Sequence, residues 1–211
     1  MSRMTRREWL ARPAIASVFG SVLAASSTAT EPDALTPREK IRARYFPNVP
    51  LRTHNGKSVR FYDDLIKGKI VTINVMYATC EGVCPSITTN LVKVQTLLGK
   101  RVGREIFMYS ISLKPEEDTP GVLKEYIKMH GIGPGWTYLT GKPDDVELLR
   151  RKLGFTNPNP ELDKDTSQHI GNVRYGNEPL MLWAACPGQA DPAWIVKSIS
   201  WVSRPEHRAT P

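Results

Sequence analysis

No internal repeat and no low-complexity tract runs through the 211 residues, which excludes a solenoid and a disordered chain. No Gly-x-Ser-x-Gly, phosphate-binding glycine loop, dinucleotide-binding glycine set or His-Glu-x-x-His occurs, so hydrolase and nucleotide chemistry has no motif to stand on. Basic charge is plentiful but not clustered. The formal net charge is +8, yet the first 29 residues hold four Arg against one Glu, and the 25 basic and 20 acidic residues that remain are interleaved. That pattern is a solvated surface rather than a stripe for nucleic acid. Long apolar runs are also missing: the stretch from Ala14 to Ala25 is too short to read as a membrane span. Cysteine is scarce and odd in number, with three in the chain, and two of them stand four residues apart.

What is present fits one domain of ordinary size with a real core, since 40% of residues are hydrophobic and 24% charged. Residues 1–29 read as an export signal, with a basic start, the apolar stretch and the small residues Ser26, Ser27, Thr28 and Ala29. Thr5-Arg6-Arg7-Glu8-Trp9-Leu10 resembles the twin-arginine motif of bacterial folded-protein export, departing from it at Ala11. The expectation is an exported, periplasmic domain, with inner-membrane anchoring if the signal stays uncleaved. Residues 30–50, rich in proline and charge, suit an exposed lead-in, 51–204 the folded domain and 205–211 a tail.

Strands alternate with helices, which predicts an α/β fold with parallel neighbours in its first half. Leu51 to Arg60 reads as a hairpin about Asn55-Gly56, and Asp63 to Gly68 as a turn or short helical piece. Ile70 to Tyr77 reads as a central strand covered on both faces. Ile87, Leu91, Val94 and Leu98 then recur at helical spacing. A second central strand runs from Ile106 to Leu113. Thr119-Pro120 opens a helix with Val122, Leu123, Tyr126 and Ile127 inward, and a short strand covers Trp136 to Leu139. Val146, Leu149 and Leu153 mark the next helix. Asn157 to Gln168 loses periodicity and reads as a long loop. A hairpin follows, Ile170 to Tyr175 and Leu180 to Ala184, turned by Gly176-Asn177-Glu178-Pro179. The closing helix, Pro192 to Val202, is expected to pack with Trp194, Ile195, Ser198 and Trp201.

Thr79-Cys80-Glu81-Gly82-Val83-Cys84-Pro85 lies where the central strand hands over to its helix. Backbone N–H groups at a helix N-terminus lower the pKa of a nearby thiol, and four-residue spacing brings both sulfurs to one face. Such a pair can close into a disulfide or clamp a soft ion such as Cu(I). The residues alone leave that choice open.

The order strand, Cys-x-x-x-Cys-Pro, helix, strand ending in x-Pro, Glu116-Glu117-Asp118-Thr119-Pro120, Leu139-Thr140-Gly141 and a late His before a hairpin resembles the Sco/SenC family over about residues 45–202. The resemblance implies a thioredoxin-like fold: a central mixed sheet flanked by helices, with an N-terminal β-hairpin extension and a further hairpin towards the C-terminus. It implies Cys80, Cys84 and His169 as ligands for copper, Cu(I) or Cu(II), and assistance in assembling the copper site of cytochrome c oxidase. An oxidase subunit or another copper carrier would be the partner. Two other functions fit the same residues: a thiol-disulfide oxidoreductase with Cys80 and Cys84 as the redox pair, and a redox or copper sensor.

The other candidates read as structural. His54 sits in a hairpin turn, His130 at a helix end and His207 in the tail, while Met76 and Met108 read as core filling and Cys186 as a buried, inert thiol. Three positions depart from the resemblance: Gly82 and Lys114 stand where the family commonly carries Asp, and Gln168 where an acidic residue is common. Loss of three negative charges makes the site mouth less attractive to cations and stabilises thiolates.

Overall fold

The structure, a computed structural model, describes residues 35–164 and 171–203. The export signal of 1–29, Gln168, His169, His207 and the tail lie outside the described residues.

The elements run α1 Pro37–Tyr45, β1 Pro50–Thr53, β2 Ser58–Arg60, a π-turn Phe61–Ile66, β3 Ile70–Met76, α2 Val83–Leu98, β4 Ile106–Ser112, α3 Pro120–Met129, β5 Trp136–Gly141, α4 Pro143–Lys152, α5 Pro160–Lys164, β6 Asn172–Asn177, β7 Leu182–Pro187 and α6 Pro192–Ser203. Seven strands form one sheet in the order β2-β1-β5-β4-β3-β6-β7. The inner strands β3, β4 and β5 are parallel, and antiparallel hairpins close both edges. This is the mixed, thioredoxin-like sheet expected, with β1–β2 and β6–β7 as the two added hairpins.

Strand periodicity divides the core in two. Val71, Ile73 and Val75 of β3 face a cluster built from Val146 and Leu149 of α4 and from Phe61, Leu65 and Ile66 of the π-turn. Met76 of β3 and Met108 of β4 face the opposite cluster, where α2 contributes Ile87, Leu91, Val94 and Leu98, and α6 contributes Ile195 and Ile199. The buried polar residues on this face satisfy each other: Ser110 Oγ donates to Asn74 Oδ1 at 2.7 Å, and Trp136 Nε1 donates to Ser110 Oγ at 2.8 Å.

Four local expectations change. The proline-rich lead-in contains α1, because Thr36 and Glu39 form a capping box and Pro37 opens the helix at its first position, where proline is tolerated. The helix buries none of its residues, although Phe46 and Val49 just beyond it enter the core. Within the aperiodic stretch, Asn159 caps the short α5 by accepting from Glu161 N at 3.0 Å. The late hairpin turns at Glu178–Met181, not at Gly176-Asn177, which lie in β6; Met181 takes a φ of 52°. Finally, α6 packs through Ile195 and Ile199, whereas Trp194 and Trp201 point outward, as does Val122 of α3.

Candidate metal and redox centre

Strand β3 ends at Met76, and the chain turns through Tyr77 to Gly82 before α2 begins at Val83. Cys80 sits in this turn and Cys84 in the first turn of α2. Both thiols are free and buried, 6% and 2% exposed, so neither is an ordinary surface cysteine. The N-cap residue, Gly82, has no side chain to accept from the helix's first N–H groups. Cys80 takes that part: the backbone N–H groups of Gly82 and Cys84 donate to its sulfur.

The two sulfurs are hydrogen-bonded to each other, and their environments push them apart. Burial raises the Cys80 thiol, but donation from the Cys84 side chain, the Cys84 N–H, the Tyr77 hydroxyl and the Gly82 N–H outweighs it, leaving Cys80 below the ordinary thiol value. Cys84 is pushed up to about 12, first by burial and then by donating its proton to Cys80. Of the two thiols, Cys80 is therefore the one that loses its proton first and Cys84 the one that keeps it.

Asp118, only 1% exposed, braces this turn from the β4–α3 connection. Both of its carboxylate oxygens accept from Ala78 N at 3.2 Å, and Ser112 Oγ donates to Oδ2. Burial raises its carboxyl above the usual range despite those donors. Lys114 Nζ lies 4.7 Å from the Tyr77 ring centroid and 3.3 Å from Glu117 Oε1, so the sequence's departure at Lys114 puts a cation near the mouth of the turn. Tyr77 and Asp118 escaped sequence reasoning. Tyr77 read only as the end of a strand, and Asp118 only as part of the Glu116–Pro120 stretch that carries the family resemblance, neither with a role at the site.

Among the described residues, no group of three or more His, Cys, Asp or Glu side chains is gathered to hold a metal. Cys80 and Cys84 offer two soft donors, and His169 lies outside the described residues. Gly171, two residues after His169, packs directly on α2: a Cβ added there would lie 2.7 Å from Ile87 Cδ1 and 3.9 Å from Val83 Cγ2. Gly188 N donates to Gly171 O at 2.7 Å and holds it there.

The remaining candidates are structural. His54 Nδ1 accepts from Tyr138 N at 3.2 Å, and burial lowers its pKa. The His130 ring packs on Tyr126 at 4.2 Å between centroids. Met76, Met108 and Cys186 are buried, and burial pushes the Cys186 thiol up to about 11.

Comparison with known proteins agrees with this arrangement. The "SCO2-like protein" of Rickettsia felis is 30% identical over 93 residues, which cover 44% of this chain and 44% of that protein. The chain thus spans less than half the length of that relative. The structure of Bradyrhizobium japonicum ScoI with copper bound superposes with a TM-score of 0.59 at 23% identity, covering 74% of this chain and 99% of that one. A structure of BsSco, a member of the Sco family of cytochrome c oxidase assembly proteins in which a disulfide switch was identified, gives a TM-score of 0.59 at 21% identity, covering 74% and 91%. Both likenesses speak to the fold. Residues 42–202 match the SCO1/SenC family, and the chain belongs to it.

Proposed function

We propose that this chain is a copper-handling protein that assists assembly of the copper site of cytochrome c oxidase, with Cys80, Cys84 and His169 as the ligands of its copper cargo. The observation that carries the reading is the buried, mutually hydrogen-bonded sulfur pair at the start of α2. Two thiolates and an imidazole form a soft donor set suited to Cu(I) and able to accept Cu(II). Delivery would proceed by exchange of these ligands for those of an oxidase subunit or another carrier. Export through the Arg6-Arg7 signal would put this chemistry in the periplasm; a reporter fusion carrying Lys at both positions should stay in the cytoplasm, and normal export would refute that route.

The Cu(I) titration of the reduced protein against a chromophoric chelator tests the ligand set. His169→Ala should weaken binding while leaving disulfide formation intact, and Cys80→Ser or Cys84→Ser should abolish both. Unchanged copper affinity in His169→Ala would sink the proposal.

A second reading draws on the unequal thiols. In thiol-disulfide exchange the Cys80 thiolate attacks a partner disulfide, forming a mixed disulfide and releasing one partner thiolate. Cys84 then gives up its proton and attacks the Cys80 sulfur. The second partner thiolate departs, the partner gains two electrons, and Cys80–Cys84 is left as a disulfide. The donors aimed at Cys80, from Cys84, the Tyr77 hydroxyl and the Gly82 N–H, favour the anionic sulfur this chemistry needs.

A further inference from the structure

Helices α2 and α6 lie side by side on one face of the sheet and run in the same direction. Asn90 near the middle of α2 donates to the carbonyls of Gly188 and Ala190, just before α6, at 2.8 and 2.7 Å. Arg101, just beyond the end of α2, donates to Ser200 Oγ and Ser203 Oγ at 3.2 and 3.0 Å, at the end of α6. The inner stripes of both helices are buried in the core, which leaves the outer stripes as one continuous surface.

Three large apolar side chains stand on that surface. Leu97 is 57% exposed, Trp194 47% and Trp201 71%. The two tryptophans are seven residues apart, two helical turns, and so share a face. Exposure of this kind is unusual for tryptophan, which the sequence pattern alone would have placed in the core.

The charge carried by the two helices themselves has one sign. Neither α2 nor α6 contains an Asp or Glu, whereas Lys93, Lys100 and Lys197 are exposed on or beside them. Acids flank the helices in sequence: Glu81 just before α2, Asp191, which caps α6 through Trp194 N at 2.9 Å, and Glu105, already paired with Arg101 at 3.0 Å. By contrast α4, on the other side of the sheet, mixes both signs, with Asp144, Asp145 and Glu147 beside Arg150, Arg151 and Lys152.

We propose that the α2–α6 surface, through Trp194, Trp201, Leu97 and the lysines around them, docks the domain on an anionic lipid bilayer. Indole is apolar in its body with one N–H at its edge, and it prefers the headgroup boundary of a membrane. Lysines flanking it meet the negative surface potential of acidic phospholipids. No described helix is long and apolar enough to cross a membrane, so the contact is peripheral. This inference does not depend on the copper reading.

The test uses the full chain carrying Trp9→Phe, which leaves Trp136 buried, Trp183 half-buried, and Trp194 and Trp201 as the exposed emitters. Vesicles of phosphatidylglycerol and phosphatidylcholine with brominated acyl chains should shift and quench the indole emission. Single variants Trp194→Phe and Trp201→Phe should each retain quenching of the other. Lys197→Gln should weaken binding about fivefold, the effect of one basic residue near an anionic surface, and phosphatidylcholine alone should bind more weakly. Vesicle binding with unquenched Trp194 and Trp201, as the N-terminal segment alone would produce, overturns the proposal. So does binding indifferent to lipid charge. Self-association without lipid that Trp194→Ala/Trp201→Ala abolishes would assign the surface to a second copy instead. Saturable binding of polyglutamate in the absence of vesicle binding would assign it to an acidic protein.

Discussion

Asp118→Ala offers a sharp check on how the cysteine turn is held. The substitution removes the acceptor of Ala78 N–H and of Ser112 Oγ–H inside the protein. A buried donor left without a partner costs about 1–3 kcal/mol, so the two together cost about 2–5 kcal/mol, less what rotation of the Ser112 hydroxyl recovers. For a domain of this size each kcal/mol lowers Tm by about 2–4 °C, which makes the expected fall about 5–15 °C. Asp118→Asn keeps one carbonyl acceptor for Ala78 and should cost roughly half as much. Its comparison with the parent also carries a pH signature. Burial raises the folded-state pKa of Asp118 above its unfolded value. The contribution of its titration is therefore full below the unfolded value of about 3.9 and is lost as pH rises through the folded value. The stability gap between parent and Asn variant should be widest below about pH 4 and narrow upward from there. Circular-dichroism melts of the reduced protein across that range measure both effects. An Ala variant melting within a degree or two of the parent, or a gap that widens with pH, would refute the brace.

Two further outcomes follow from the site's geometry. Limited alkylation with iodoacetamide near neutral pH should modify Cys80 well before Cys84, by peptide mapping, because Cys80 lies below and Cys84 far above the ordinary thiol value; equal labelling would remove the proposed asymmetry. Gly171→Ala would bring a methyl to 2.7 Å from Ile87 Cδ1, so it should destabilise the fold by about 1–3 kcal/mol and weaken copper binding without slowing Cys80 alkylation; unchanged copper affinity would show that the Gly171 contact does not position the ligand segment.

The sequence revealed the central sheet because β3 is a long β-branched run and β4 a long, largely apolar one, each buried on both faces, and it revealed α2 because Ile87, Leu91, Val94 and Leu98 form one stripe. Residues in α6 were harder. Trp194, Ser198 and Trp201 keep helical spacing as well as Ile195 and Ile199 do, and side-chain size did not show which of two adjoining stripes faces the sheet. The late hairpin slipped towards Gly176 because a Gly-Asn pair is a strong turn signal, yet Gly176 is needed in the strand: a Cβ there would lie 2.3 Å from the Trp183 ring. The cysteine pair was legible from spacing and its strand-to-helix position. Its electrostatics were not, since they depend on burial, on the Tyr77 hydroxyl and on the N–H groups of Gly82 and Cys84, whose aim at the sulfurs only the folded turn sets.

The hydrogen bond between the two sulfurs links the two chemistries of the site. While Cys84 keeps its proton, its hydrogen bond favours the thiolate form of Cys80, the form that thiol-disulfide exchange would use. To bind a soft metal through both sulfurs, that proton must leave, because the thiolate and not the thiol is the ligand. Burial opposes two bare anions side by side in the core, so the second thiolate forms only against a cation that compensates its charge. On the proposed reading, copper would be taken up by displacing the proton that tunes the thiol chemistry, and the same buried pair would exclude one use while it served the other.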